Sequence, residues 1–342
     1  MKLSFQVSQR HRLLGGFGAA IMAALVFVVA QWWLFGPDRT HRPNHVYFTV
    51  HEGESADSIA QRLVSARLLH TAWGFLFIAV RRRWAGQLRP GTYHLSPAQT
   101  PQGILLQLVH GKTINQIAVP AGIHVSQVIA RLRSHHIGTS KQYKALEEHP
   151  LPGMPSKTSA VRDGLEGYLY PATYAIFRGA SSAKAILPMW RTFQQKTKGL
   201  RAHLPKSLSF RGWVTLASIV QAETRFPSDD AKIAAVFFNR LHRHMPLQSD
   251  ATVYYALSGS ARGPLTRTDL MVASPYNTYR HRGLPPGPID NPGRQALFAV
   301  LHPAHVPYLY FVTGPRGHAV FATTYAQQLR HIAEMSRVKH GK

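Results

Sequence analysis

The sequence predicts an α+β fold behind one apolar N-terminal segment. Three observations predict it. Residues 13–35, "LLGGFGAAIMAALVFVVAQWWLF", carry no charge; a strand–turn–helix phrase recurs within 46–155; and from 156 to 342 helical and strand-like phrases mix without βαβ order.

At about 1.5 Å per residue, a helix over 13–35 is long enough to cross a hydrocarbon core of about 30 Å. Trp32 and Trp33 stand at one end, where amphipathic rings favour the membrane interface. Lys2, Arg10 and Arg12 precede the run, and the first twelve residues hold no acid, which places the N-terminus in the cytoplasm. A cleaved signal peptide is the rival, opposed by the length of the run and by bulky "QWWLFG" where small residues should precede a cut. The expectation is a cytoplasmic tail at 1–12 and a single-pass transmembrane helix at 13–35 in the inner (plasma) membrane. A Pro-rich linker follows at 36–45, with all later residues on the periplasmic side.

The 342 residues include 40 Lys+Arg against 15 Asp+Glu, a formal net charge of +25. Such a charge favours polyanions. The bases are scattered, however, with no tract beyond "RRR" at 81–83, so a solvated basic surface is the plainer reading. The outward topology argues against nucleic acid. With no cysteine, disulfides, thiolate zinc sites and thiol nucleophiles are excluded. The pairs His242/His244 and His302/His305 lack a zinc-type H-E-x-x-H motif, and no G-x-G-x-x-G or P-loop is present, so neither metal nor cofactor is expected.

Val50, Gly53, Ile59 and Leu63 recur 69 residues later as Val119, Gly122, Val128 and Leu132. Both copies read as strand, turn glycine and amphipathic helix. The phrase with "SADSIAQRL" resembles LysM-like modules of bacterial wall proteins. That resemblance implies recognition of N-acetylated glycan by the two-repeat region 46–155. A plain α/β spacer is the other reading, since no aromatic cluster marks a sugar platform.

The half from 156 to 342 reads as helices at about 208–224 and 230–243, a short helix from Asp250 and a shaped loop at 271–293. A helix from Pro292, strands at 308–313 and 318–323 and a closing helix follow. Asp229 and Asp230 are placed to start a helix, Asp250 to cap one, and Asp290 to sit in a Pro-flanked turn. Glu223 has no such ordinary role. With Leu216, Ile219 and Val220 it falls at i, i+3, i+4 and i+7, on the apolar face and in the last turn, where the helix dipole disfavours a negative charge. Both effects favour the protonated form, as a general acid requires. A solvated, frayed helix end paired with Arg225 is the alternative.

The phrases "LASIVQAET", "IAAVFFNRLHRHMPLQSDATVYYAL", "SPYNTYRHRGLPPGPIDNPGRQAL" and "HPAHVPYLYFVTG" resemble, in order, the endolytic murein transglycosylases of the YceG-like family. The resemblance implies cleavage of peptidoglycan strands, with Glu223 as the catalytic glutamate. Many members carry a second glutamate two residues earlier; this chain has Gln221. The resemblance also implies substrate binding by Gln248, Asp250, Thr252, Tyr276, Asn277 and Tyr279. For Glu166 it implies either substrate binding or the orienting of loops, with a structural turn as the plainer reading. Gly283, Pro285, Pro286 and Gly287 are expected to shape a loop, and Tyr308 and Tyr310 to pack in strands. Implied partners are the glycan strands themselves and the peptidoglycan synthases (penicillin-binding proteins) that make them. A catalytically silent wall-binding scaffold and a hydrolase leaving reducing ends remain the rival functions.

Overall fold

The structure, a computed structural model, describes residues 26–29, 31, 35–36, 45–111, 113–155, 161, 163–258, 263–314 and 316–340. The expected cytoplasmic tail lies outside the described residues, as do most of the expected transmembrane helix and linker. Among the described residues no helix is long and apolar enough to cross a membrane. The chain divides into two compact units, Met1–Asn115 and Gln116–Lys342, whereas the sequence reading put its boundary between 155 and 156.

In the first unit β1 (Val46–Val50) pairs antiparallel with β2 (Gly91–Leu95), Val46 opposite Leu95 and Val50 opposite Gly91. Helix α1 (Ala56–Ser65) starts at Ser55, whose hydroxyl accepts from the Ser58 N–H, and buries Ile59, Ala60 and Leu63. Helices α2 (Ala72–Arg81) and α3 (Pro101–His110) complete a core that includes Phe48, Phe75, Tyr93 and Leu105. Arg62 bridges to Glu54 at 2.7 Å and donates to the Thr49 carbonyl, tying helix to strand.

The second copy of the repeat has the same local grammar and a different setting. Strand β3 (Ile114–Val119) pairs with β4 (Ala172–Phe177), between which lie α4 (Val125–Ser134) and α5 (Ser140–Glu148). The turn glycines of the two copies, Gly53 and Gly122, share a left-handed φ of +75° and +79°. Val119, Val125, Val128 and Leu132 of the second copy join one core with Phe193, Trp213 and Leu297. The long helix α6 (Ser182–Arg201) was not read from the sequence. It carries Pro188 in its interior and forms because Ile186, Met189, Trp190 and Phe193 are buried, which outweighs the local proline cost of about 3 kcal/mol.

At the centre stands α7 (Phe210–Glu223), capped by Ser209, whose hydroxyl accepts from the Gly212 N–H. Every residue from Trp213 to Val220 is buried, so the helix is enclosed on all sides rather than along one stripe. It packs against α8 (Asp230–His242), α9 (Asp250–Ala256) and α10 (Arg294–Leu301). Trp213 Nε1 donates to the Leu297 carbonyl at 2.8 Å. Strands β5 (Tyr310–Thr313) and β6 (Ala319–Ala322) form an antiparallel hairpin covered by α11 (Tyr325–His340).

Asp229 and Asp230 start α8 as expected, at its N-cap and first position, while Asp229 Oδ2 accepts from Ala319 N–H at 2.9 Å and lies 3.1 Å from His318 Nδ1. Ser249, not Asp250, holds the N-cap position of α9. Asp290 sits in the Pro-flanked bend expected of it and is buried there, its Oδ1 without a hydrogen-bond partner among the described residues. Its neighbouring residues are each fastened. Ile289 N–H donates to Ser218 Oγ, Asn291 donates to the Ile123 carbonyl, and Gly293 N–H donates to Gln221 Oε1. The loop at 287–293 is thereby tied both to α7 and to the turn that opens α4.

Candidate active site

Glu223 ends α7 because Thr224 turns the backbone to an extended conformation, φ −109° and ψ 143°. Part of Glu223 stays open to solvent while protein crowds the carboxyl on most sides. Ser249, itself buried, donates its hydroxyl to Glu223 Oε1 at 2.5 Å. Burial is the largest influence on the carboxyl and raises its pKa above the ordinary value. The bond from Ser249 opposes this, Asp250's charge adds to it, and the Ala251 N–H and the Arg240 charge oppose it again. Groups that favour each charge state thus face one carboxyl, with the balance toward the acid form.

Arg240, near the end of α8, is buried and fully committed. Its Nε donates to the Leu309 carbonyl at 2.7 Å and its Nη1 to the Leu247 carbonyl at 2.8 Å and to Gln248 Oε1 at 3.3 Å. Its guanidinium also lies 5.1 Å from the centroid of the Tyr310 ring. It fixes the turn at Met245–Ser249, in which Gln248 adopts a left-handed φ of +51°. That conformation is costly for a side chain with a Cβ and persists here under these bonds. On the other side Ser249 N–H donates to Thr278 Oγ1 at 3.0 Å, and the Thr252 hydroxyl donates to the Ser249 carbonyl at 2.7 Å. The serine that holds Glu223 is therefore itself held.

Of the residues implied to bind substrate, the structure brings Gln248, Asp250 and Tyr279 to this place. Gln248 and Asp250 are exposed, and the half-buried Tyr279 donates its hydroxyl to Asp250 Oδ1 at 2.5 Å. Burial, then that bond, raises the phenol's pKa. The others lie beneath the surface. Thr252 is spent within the hydroxyl cluster with Thr278. Asn277 is fully buried and donates to the Leu270 and Val272 carbonyls, stapling the loop. Tyr276 is buried against Tyr255, ring centroids 4.9 Å apart.

Glu166 is not with Glu223. It is buried, and its Oε1 accepts from Val125 N–H at 3.0 Å and from Asn291 Nδ2 at 3.4 Å. Burial, with the nearby charges of Asp163 and Asp290, raises its pKa well above the usual carboxylate range. Loop orientation and a structural turn, two of its three expected roles, fit this placement. Gln221 also faces away from Glu223, toward Gly293. Tyr310 is half-buried beside Arg240, and Tyr308 stacks on Phe321 at 5.2 Å. Ser249 and Arg240 were missed by sequence reading. Ser249 sits unremarked inside "QSDAT", and Arg240 in "NRLHRH" reads as one more exposed base.

Fold and site together describe an α+β protein in which one carboxyl, Glu223, is held at a helix end by a buried serine. The chain belongs to the YceG-like family, whose model matches residues 48–334. It is 32% identical over 295 residues to a Bacillus subtilis protein named endolytic murein transglycosylase, covering 82% of this chain and 81% of that one. It is 27% identical over 329 residues to a Streptococcus pneumoniae protein of the same name, covering 87% of this chain but only 60% of that longer relative. A crystal structure of a yceG-like protein from Listeria monocytogenes superposes with a TM-score of 0.56 at 30% identity, covering 84% of this chain and 99% of that one.

Proposed function

We propose that this chain is a membrane-anchored lytic transglycosylase that cuts within peptidoglycan strands, between N-acetylmuramic acid and N-acetylglucosamine, and leaves 1,6-anhydro ends. The observation that carries the reading is Glu223: one half-sheltered carboxyl, raised toward its acid form by burial and aimed by Ser249. Glu223 protonates the departing glycosidic oxygen while the substrate's acetamido group supports the anomeric carbon. The carboxylate so formed takes the proton of the muramic C6 hydroxyl as that oxygen bonds to C1. No water is consumed, and one carboxyl serves twice, so the paired carboxylates of an ordinary glycosidase are not needed. The hydrogen bonds from Ser249 and Ala251 serve the second step by easing the negative charge that burial resists.

Gln248, Asp250 and Tyr279 supply amide, carboxyl and phenol groups beside the acid, suited to acetamido sugars. Residues 13–35 anchor the chain with its N-terminus in the cytoplasm and the site in the periplasm. From there it trims or terminates nascent strands beside the synthases that polymerise them. The two-repeat region contributes binding of N-acetylated glycan.

The full chain and Glu223→Gln are incubated with purified peptidoglycan and the new ends identified by mass spectrometry. Anhydro ends made only by the parent are expected. Reducing ends would instead mark hydrolysis, for which Asp250 is the acid whose charge bears on Glu223. An inert parent would mark a scaffold.

A further inference from the structure

The chemistry above leaves unused a cavity beside the end of α7. It has a volume of about 400 Å³ and is lined in part by Gln221, Thr224, Arg225, Asp230, Arg294 and Gln295. A second cavity of about 360 Å³ shares Asp230, Arg294 and Gln295 with the first and continues to Phe298, Ala299 and His302. Each has the size of an ordinary small-ligand site. Arg225 and Arg294 are exposed, and neither has an ion-pair partner among the described residues. Asp230, the acid on these walls, accepts at its Oδ1 from the Thr224 hydroxyl at 2.7 Å. Its single carboxyl stands against two guanidinium groups. The first cavity is therefore cationic, and the second ends on the exposed ring of Phe298.

We propose that these joined cavities bind the peptide stem of the muramic residue being cleaved, Arg225 and Arg294 taking its carboxylates and the Phe298 end its alanine methyls. The proposal rests on the transglycosylase reading and adds to it a recognition element outside the glycan. A stem leaves muramic acid through the lactyl ether on C3, two ring carbons from the C1 that is attacked. It must therefore start within about one sugar's breadth of the proton donor. Thr224, the residue after Glu223, lines the cavity, which lies on the Gln221 side of the helix end, so a stem must round that end to enter it. The chemistry fits as well. A stem combines several carboxylates with small apolar side chains, and paired guanidinium groups are suited to carboxylates through two-pronged hydrogen bonds. A concave, bipartite site also differs from the scattered surface charge that would hold an anionic lipid.

The test measures equilibrium binding of the free tripeptide L-alanyl-γ-D-glutamyl-diamino acid, and of the same peptide with its carboxylates amidated, to the full chain. The expected result is at least about tenfold tighter binding of the acid form, as for charge-assisted hydrogen bonds. Arg225→Ala/Arg294→Ala, both exposed positions, should erase that preference without changing the melting temperature. Equal binding of the two peptides, or a double variant that binds like the parent, overturns the proposal. A second arm compares cleavage of stem-bearing strands with strands stripped of stems by an amidase. The double variant should be slower on the former alone, and equal slowing on both counts against a stem site. A parent that makes no anhydro ends on either substrate defeats the transglycosylase reading, while the peptide measurement still decides what the cavity binds.

Discussion

Ser249 Oγ and Glu223 Oε1 lie 2.5 Å apart, a bond that joins the end of one helix to the start of another across 26 positions of chain. On the transglycosylase reading, it steadies the charge that appears after the proton has gone. Ser249→Ala should lower kcat about tenfold to a hundredfold, the usual worth of a hydrogen bond to a charged group. The direction of the pH effect is also fixed. The lost bond favoured the ionised form, so the Glu223 pKa rises further and the basic limb of kcat/KM moves to higher pH. An unmoved limb in the pH–rate profile would show that the serine does not bear on this proton.

Arg240 should matter to stability before it matters to rate. Arg240→Met removes donors from the Leu309 and Leu247 carbonyls in a buried setting, and a loss of about 3 kcal/mol is expected. Arg240→Lys should rescue little, because one ammonium cannot reproduce donors fixed in two directions. Urea unfolding of the three proteins checks both statements.

Asp290 gives a pH signature. It is buried, with one oxygen unpartnered among the described residues, and burial raises its pKa well above the ordinary value. A carboxyl raised in the folded state contributes its full stability below the unfolded pKa of about 3.9 and loses that contribution as pH rises through the folded value. The melting temperature of the parent should therefore decline from acid toward neutral pH more steeply than that of Asp290→Asn. Parallel curves would mean that the group does not titrate as its surroundings require. Glu166, raised by the same cause, adds to the parent's slope and is unchanged in the variant.

Gly167 and Gly122 separate two costs of adding a methyl. Both have left-handed backbones, with φ +88° and +79°. A Cβ at 122 would meet nothing nearer than 3.5 Å, whereas at 167 it would fall 2.5 Å from Pro288 and 2.9 Å from Val214. Gly122→Ala should cost about 1–2 kcal/mol from conformation alone, and Gly167→Ala clearly more. The difference between their denaturant midpoints measures how rigidly the loop between α5 and β4 is packed.

Helix positions were readable because they depend on local spacing, and the same spacing singled out Glu223 as a candidate. Glu223 stands out as an acid at the end of an apolar run, and the expected helices over 208–224 and 230–243 appear as Phe210–Glu223 and Asp230–His242. Side-chain employment was not readable. Thr252, Tyr276 and Asn277 have the functional groups a sugar site needs, but burial commits them to the protein's own frame. Arg240 looks like a surface base until β5 and the turn at Gln248 close over it. Helix α6 was hidden by Pro188, since the partners that hold it lie far along the chain. Strand pairing was likewise invisible: two copies with the same grammar pair one with β2 and the other with β4.

That last contrast bears on how this chain can be cut or recombined. Gly122 donates to the Asn291 carbonyl, Val125 to Glu166 and His124 to the Ile289 carbonyl, so the later copy has become scaffolding for the loop behind the acid. Alike in pattern, the two copies are not interchangeable. A fragment beginning after residue 155 would surrender part of its own foundation, whereas one beginning near residue 116 would carry it along.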